Sequence, residues 1–430
     1  MRGDVRTPKK PAMRPTSGRA DRPADDEIWR RITRELADDL AVDALSRDRA
    51  GKAPFDELAR LQEAGLPTLL TPPGPGGRGA DWRAACAVIR EISAADSSVG
   101  ELLAHHYALS WSARFFGATT GPRAVEDRAA GERWLLAGGV DQPAGGSGTG
   151  LTLTPVDGGH VLDGRRAFAS GVAVADRLVV GARCTETGDL LVALVDPAHP
   201  GVFTDAGTDR VGQRLAGAGT VTFDRVPVAP HDLLGSLPRD EHAASPYATL
   251  APLALRLVLV HVGLGIAEGA LAEARDVSRA TQAAAPHADP SPDGADYPVP
   301  GGDDPYLLLA YGELATEAHA AAAVVERATD ALARGLLAEH ALGVDERADI
   351  AVLIAAAEAV TSRSAVRITT RILELVAGAE AADSAPTGPG FDRFWRNARA
   401  LTAPTSSAGR LRAIGDHYLN GTHPRLTLLA

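Results

Sequence analysis

The residues best suited to chemistry in this chain fall into two stretches and one loop. His105 and His106 are adjacent imidazoles inside a run that opens on Asp96-Ser97-Ser98, a helix-start signal, and closes before Gly117. On a helix His106 shares a face with Leu102, Leu103, Leu109 and Ala113. A histidine in that setting is more often a hydrogen-bonded core residue than an acid or base. Near the C-terminus, Gly390–Arg399 holds Arg393, Arg396 and Arg399 three apart, on one side of a helix. Phe391, Phe394 and Trp395 call for burial, so this helix is expected between an apolar core and an acidic or anionic neighbour. The run Gly145–Gly150 looks like a phosphate-binding loop, but it lacks a following helix and a lysine and reads as a flexible loop. Cys86 and Cys184 are too few for a disulfide framework and read as inert thiols in a reducing cytoplasm.

The elements that must position these residues change character along the chain. Ile28, Ile32, Leu36, Leu40 and Leu45 recur at helical spacing, and helices are expected over Pro54–Ala64, from Asp81, and from Asp96 to about Phe116. From Trp134 short β-rich runs alternate with turn signals such as Asp157-Gly158-Gly159, Asp163-Gly164 and Thr187-Gly188-Asp189. Strands are expected over Leu151–Thr154, Arg165–Phe168, Arg177–Ala182, Leu190–Val195 and Thr220–Phe223. Helices return over Pro252–Arg275, Tyr306–Gly335, Asp345–Ala377 and Thr405–Leu419. Their small side chains suit a closely packed four-helix bundle.

Composition narrows the class. Hydrophobic residues make up 45% and charged residues 23%, a globular balance, and a net charge of −11 excludes a general nucleic-acid binder, which needs a basic face. The most apolar run, Leu253–Ala267, is interrupted by Arg256 and His261 and falls short of the roughly 20 apolar residues of a membrane span. It reads as a core helix. Residues 1–25 are rich in Arg, Lys and Pro without an apolar stretch, which predicts a solvated, disordered tail and no secretory signal.

Particular words in this order carry a resemblance. They are Ile92–Gly100 followed by His105-His106, Leu162–Gly171 with Ala175-Asp176, Val211-Gly212-Gln213-Arg214, Phe223–Val228, Asp304-Pro305-Tyr306 with Tyr311-Gly312-Glu313, Phe391–Arg399 and Ile414–Gly421. From about Asp26 onward the chain resembles the acyl-CoA dehydrogenase superfamily, in its flavin-dependent, dibenzothiophene monooxygenase-like branch. That resemblance implies an α+β architecture, the acyl-CoA dehydrogenase fold: a tail (1–25), an N-terminal helical domain (26–133), a central antiparallel β-domain (134–235) and a C-terminal four-helix bundle (245–430). It implies FMN or FAD between the β-domain and the bundle, in contact with Gly138, Gly139, Phe168, Ala169, Ser170 and Gly378, and no metal. By motif, His106 and Ser170 take the catalytic places beside flavin and oxygen. The ordinary alternative for Ser170 is a strand-end hydroxyl satisfying backbone. The family builds its flavin site across subunits, which implies a homotetramer or homodimer. Reduced flavin would come from a partner reductase, since the chain shows no NAD-binding fingerprint.

Departures from the family qualify this. The dehydrogenase base would fall at Pro389, which takes no proton, while Glu380 and Asp383 lie in a small-residue loop. The branch's two C-terminal histidines are Leu401 and Pro404 here. Arginines expected on a flavin phosphate are missing at Thr281–Ala285, and Gly378-Ala379-Glu380 stands where Gly-Ala-Arg is usual. The polar and aromatic residues expected around the flavin ring near Gly138 and Thr208 are also missing. Three readings stay open: a flavin-dependent monooxygenase oxidising a bulky small molecule, a flavin-free cyclase or isomerase of natural-product biosynthesis acting by positioning, and a non-catalytic homologue.

Overall fold

The computed structural model describes residues 22–74, 76–118, 120–140, 150–207, 210–240, 243–284, 304–380, 390–402 and 407–424. Helix α1 (Arg22–Ala50) starts inside the stretch read as a tail, and residues 1–21 lie outside the described ones. Helices α2 (Phe55–Glu63), α3 (Trp82–Ala95), α4 (Ser97–Ser110), α5 (Ser112–Phe116) and α6 (Pro122–Gly131) follow. Asp96 is the hinge of this region. It ends α3, then caps α4 by accepting from the Ser98 and Val99 N–H groups, with Arg47 of α1 paired to its carboxylate. The single helix expected to Phe116 breaks at Trp111, whose indole meets Trp82 of α3 edge-on at 5.4 Å. Gly117, at φ 72°, closes α5 in the left-handed conformation that glycine adopts without strain.

The strands are β1 (Leu136–Gly139), β2 (Thr152–Val156), β3 (Gly159–Phe168), β4 (Arg177–Cys184), β5 (Leu190–Val195), β6 (Val202–Ala206), β7 (Gly219–Val228) and β8 (Leu233–Leu237). They form one sheet in the order β6-β7-β3-β2-β4-β5-β8, with β1 also on β4. The expected antiparallel domain is corrected to a mixed sheet, because β4 pairs in parallel with β1 along Arg177–Val180 and with β2 at Arg183–Cys184. Turn residues announce the β2–β3 and β4–β5 hairpins, whereas a parallel pair is joined through distant chain and leaves no local signature. Alternation divides the strand side chains between two cores. Leu178, Val180 and Ala182 join Leu153, Leu162, Val221 and Phe223 within the sheet, while Val179, Val192 and Leu194 face the helices.

Helices α7 (Ala251–Ala284), α8 (Pro305–Ala338) and α9 (Val344–Glu380) form the bundle, against which α10 (Asp392–Thr402) packs on α7 and α9, and α11 (Ser407–Asn420) on α9. Helix α7 is apolar over a membrane-spanning length, yet its side chains lie mostly inside the protein. Gly265 and Gly269 let α3 press against it, since a Cβ at either would strike the Arg90 or Ala94 carbonyl. The N-terminal helices and the bundle therefore share one core, and α4 is held between that core and β1.

Candidate active site

Helix α4 is buried on every side from Ser97 to Leu109, with Glu101 as its one carboxylate. A carboxylate in such a place is costly unless it is paired or holds a proton. Oε2 of Glu101 has no hydrogen-bond partner, and burial pushes the carboxyl up to about 7, with Arg210 pulling the other way. Arg210 Nη1 in turn donates to the Ala169 carbonyl at 2.9 Å. Ala169 begins the corner that carries the chain from β3 toward β4. Gly171 in that corner has no room for a side chain, because a Cβ there would meet Ala137 of β1 and approach Leu102 of α4. Arg210 thus links the β3 corner to the field of Glu101, and Leu102 packs beneath the same corner.

Helix α10 locks the adjacent loop. Asn397 Oδ1 accepts from the Gln213 N–H at 2.7 Å, and its Nδ2 donates to Ser97 Oγ at 2.9 Å, one turn before Glu101. Gln213 sits at φ 52° and is fully buried, with both side-chain amide atoms unpartnered. A non-glycine residue held there is strained and persists only because its surroundings impose it. Gly212 permits the contact, since a Cβ would strike the Arg396 carbonyl. Arg396 pairs with buried Asp48 of α1 at 2.5 Å, and Arg393 with Glu273 of α7 at 2.5 Å. The acidic neighbour expected of this arginine helix is therefore the protein's own carboxylates, and Arg399 is exposed.

The two residues assigned to catalysis by motif differ in what they bond. His106 uses both ring nitrogens on backbone: Nε2 bonds the Pro67 carbonyl at 2.7 Å and Nδ1 accepts from the Leu136 N–H at 3.0 Å. Burial pushes its pKa down to about 4, against the Pro67 carbonyl and Asp176, so it is a neutral pin at the start of β1. Ser170 is buried and donates to the Ala216 carbonyl at 3.2 Å, which leaves its oxygen able to accept. Gly138 and Gly139 form the end of β1. Gly138, at φ 120°, would press a Cβ into the Val179 carbonyl, and the Gly139 carbonyl accepts from Arg166, whose guanidinium covers the Phe168 ring at 5.0 Å. Gly138, Gly139 and Phe168–Ser170 are thus neighbours, and Gly378 lies in the last turn of α9. The candidates at 145–149, Thr208, Asp383, Pro389 and Pro404 lie outside the described residues.

Glu101, Arg210 and Gln213 were not among the residues expected at the site. A signal for Glu101 was present in the sequence, as a single acid within Ser97–Leu109. Whereas Pro389 takes no proton, α4 thus adds a buried carboxyl whose pKa burial pushes up to about 7.

Residues 23–120 match the acyl-CoA dehydrogenase N-terminal domain and residues 257–405 its C-terminal domain. The chain is 30% identical over 428 residues to the probable FMNH2-dependent monooxygenase SfnC of Pseudomonas putida, covering 99% of this chain and 98% of that one. It is 31% identical over 403 residues to a dibenzothiophene monooxygenase of Mycolicibacterium goodii, covering 91% and 94%. The crystal structure of FMN-bound TdsC from Paenibacillus sp. A11-2 superposes with a TM-score of 0.83 at 30% identity, over 94% of this chain and 100% of that one.

Proposed function

This chain belongs to the acyl-CoA dehydrogenase family, and we propose that within it the protein is an FMN-dependent monooxygenase, placing one atom of O2 into a bulky small molecule. The observation that carries the reading is end-to-end likeness to an FMN-bound relative, joined to a corner that suits a flavin ring. An oxidised flavin ring is planar and uncharged, with carbonyls and a ring N–H along one edge. Gly138–Gly139 bring backbone close, Ser170 keeps acceptor capacity, and a neutral Glu101 can both donate and accept. These residues fit the ring end. The flavin-free cyclase reading loses support, because the relatives point to FMN.

When bound, reduced FMN supplies the electrons that activate oxygen. The chain's own part is to place, enclose and protonate. The backbone of Gly138–Gly139 and the Ser170 hydroxyl orient the ring, while Leu102 and Leu103 of α4 keep water out, which strengthens every polar interaction in the site. Helix α7 ends at residues 281–284 without an arginine, so phosphate anchoring is expected to be weak and FMN readily exchanged with a separate reductase. We further propose a cytoplasmic homotetramer or homodimer. Tyr418 and Leu419 of α11, 92% and 81% exposed, support a covered surface there, and light scattering showing only monomer counts against it.

The test is turnover with FMN, a flavin reductase and NADH under 18O2, on fused aromatic heterocycles such as dibenzothiophene and indole. One labelled oxygen per product molecule is expected, and absence of any FMN-dependent labelled product refutes the reading. Glu101 favours a second reading, since a buried carboxylate is also what removes an α-proton in a dehydrogenase. Anaerobic bleaching of bound FMN by acyl-CoA thioesters would establish that reading instead.

A further inference from the structure

Resting on the monooxygenase reading, we propose that Glu101 is the proton donor of the oxygenation, with Arg210, tied to the Ala169 carbonyl of the β3 corner, as a positioning residue for it. Three neighbouring groups, His106, Ser170 and His105, are bonded to backbone. His106 is bonded to backbone at both nitrogens. The Ser170 proton goes to the Ala216 carbonyl, and His105 Nδ1 is bonded to the carbonyl of Glu101 itself. Glu101 Oε2 is a buried acid oxygen without a partner, on the helix that packs beneath the β3 corner. Its tendency to stay protonated near neutrality is in keeping with that role.

The reaction balances as follows. O2 takes two electrons from reduced FMN and two from the substrate; one oxygen atom bonds to the substrate and the other leaves as water. As the O–O bond breaks, the departing oxygen takes a proton, which Glu101 gives. Of the two hydrogens carried by reduced FMN, one joins the Glu101 proton in that water and the other restores the carboxyl, so Glu101 is unchanged over the cycle.

Arg210, from the loop entering β7, is the charge acting on Glu101 among the described residues. At the N-terminal half of α4, Ser93 of α3 lies against Gly100 and Asn397 of α10 bonds Ser97, both neutral, while Arg47 of α1 is paired to the Asp96 cap. On α7 the buried imidazole of His261 turns to Thr329 of α8. Arg210 is therefore a positioning residue that acts through Glu101.

The variants are Glu101→Gln, Glu101→Asp, Arg210→Met and Arg210→Lys, each assayed as FMN-loaded enzyme for product, oxygen uptake and hydrogen peroxide. Glu101→Gln is expected to bind FMN as wild type does but to form product about 100-fold or more slowly, with oxygen diverted to peroxide. Glu101→Asp should recover part of the loss. Arg210→Met should move the alkaline limb of the pH–rate profile upward, and Arg210→Lys should restore it. Independently of turnover, the flavin-free wild type should show the infrared band of a protonated carboxyl at pH 6 that Glu101→Gln lacks. Undiminished product from Glu101→Gln, or a missing band, overturns this proposal while leaving the monooxygenase reading intact. A wild type that makes no labelled product overturns both.

Discussion

Replacing Glu101 by Gln should make the protein less sensitive to alkaline pH even as it impairs turnover. The native carboxyl sits at about 7 against an ordinary 4.5, because burial disfavours its charged form more than Arg210 favours it. The native state therefore binds this proton more tightly than the unfolded chain does. The resulting stabilisation is complete below pH 4.5 and is lost as pH rises through about 7. At about 1.4 kcal/mol per tenfold change in proton affinity, the full loss is about 3 kcal/mol, with about 2.5 kcal/mol of it between pH 5 and 8. Glutamine keeps the shape and has no charge to bury. Urea unfolding of wild type and Glu101→Gln at pH 5 and pH 8, at one protein concentration, isolates the difference. The variant should lose about 2 to 3 kcal/mol less across that interval. Parallel losses in the two proteins would show that Glu101 is ionised and solvated in the native state and would refute a buried, neutral carboxyl there. The expected pairing of gained stability with lost activity is common where a site holds a group that folding alone disfavours.

Asn397→Ala should cost about 1–3 kcal/mol in urea unfolding, since the Gln213 N–H and Ser97 hydroxyl lose a buried partner together. His106→Ala should cost about 2–4 kcal/mol, by unpinning β1 and leaving a cavity. Because burial holds the His106 pKa down to about 4 from 6.5, its contribution is present above pH 6.5 and lost as pH falls toward 4; the variant's unfolding profile should flatten over that window, and an unchanged acid limb would contradict the neutral pin. Gly138→Ala combines a φ of 120° with a clash on the Val179 carbonyl and should abolish FMN binding or soluble expression. Retained FMN affinity in a well-folded Gly138→Ala protein, measured by fluorescence quenching, would remove Gly138 from the ring site.

Much of this protein is written locally. The Asp96 cap, the helical spacing of Leu36 and Leu40, the glycine turns at Gly158 and Gly188, and the arginine helix with its buried Phe391 and Phe394 all follow from rules acting within a few residues. Local rules therefore set the order of helices, strands and helices, and the motifs they place carry the family likeness. They did not decide the parallel pairing of β1 and β2 with β4, which joins segments with no shared local signal. Nor did they decide what the adjacent histidines do. Neighbouring positions on a helix point about 100° apart, and only the packed structure shows His106 turned onto the Pro67 carbonyl and the Leu136 N–H. Glu101 was visible as a lone acid in an apolar helix, but its protonation depends on how completely that helix is enclosed and on an arginine 109 positions away in the chain. Proton affinity is set by distance and dielectric in three dimensions, so tertiary structure alone assigns it.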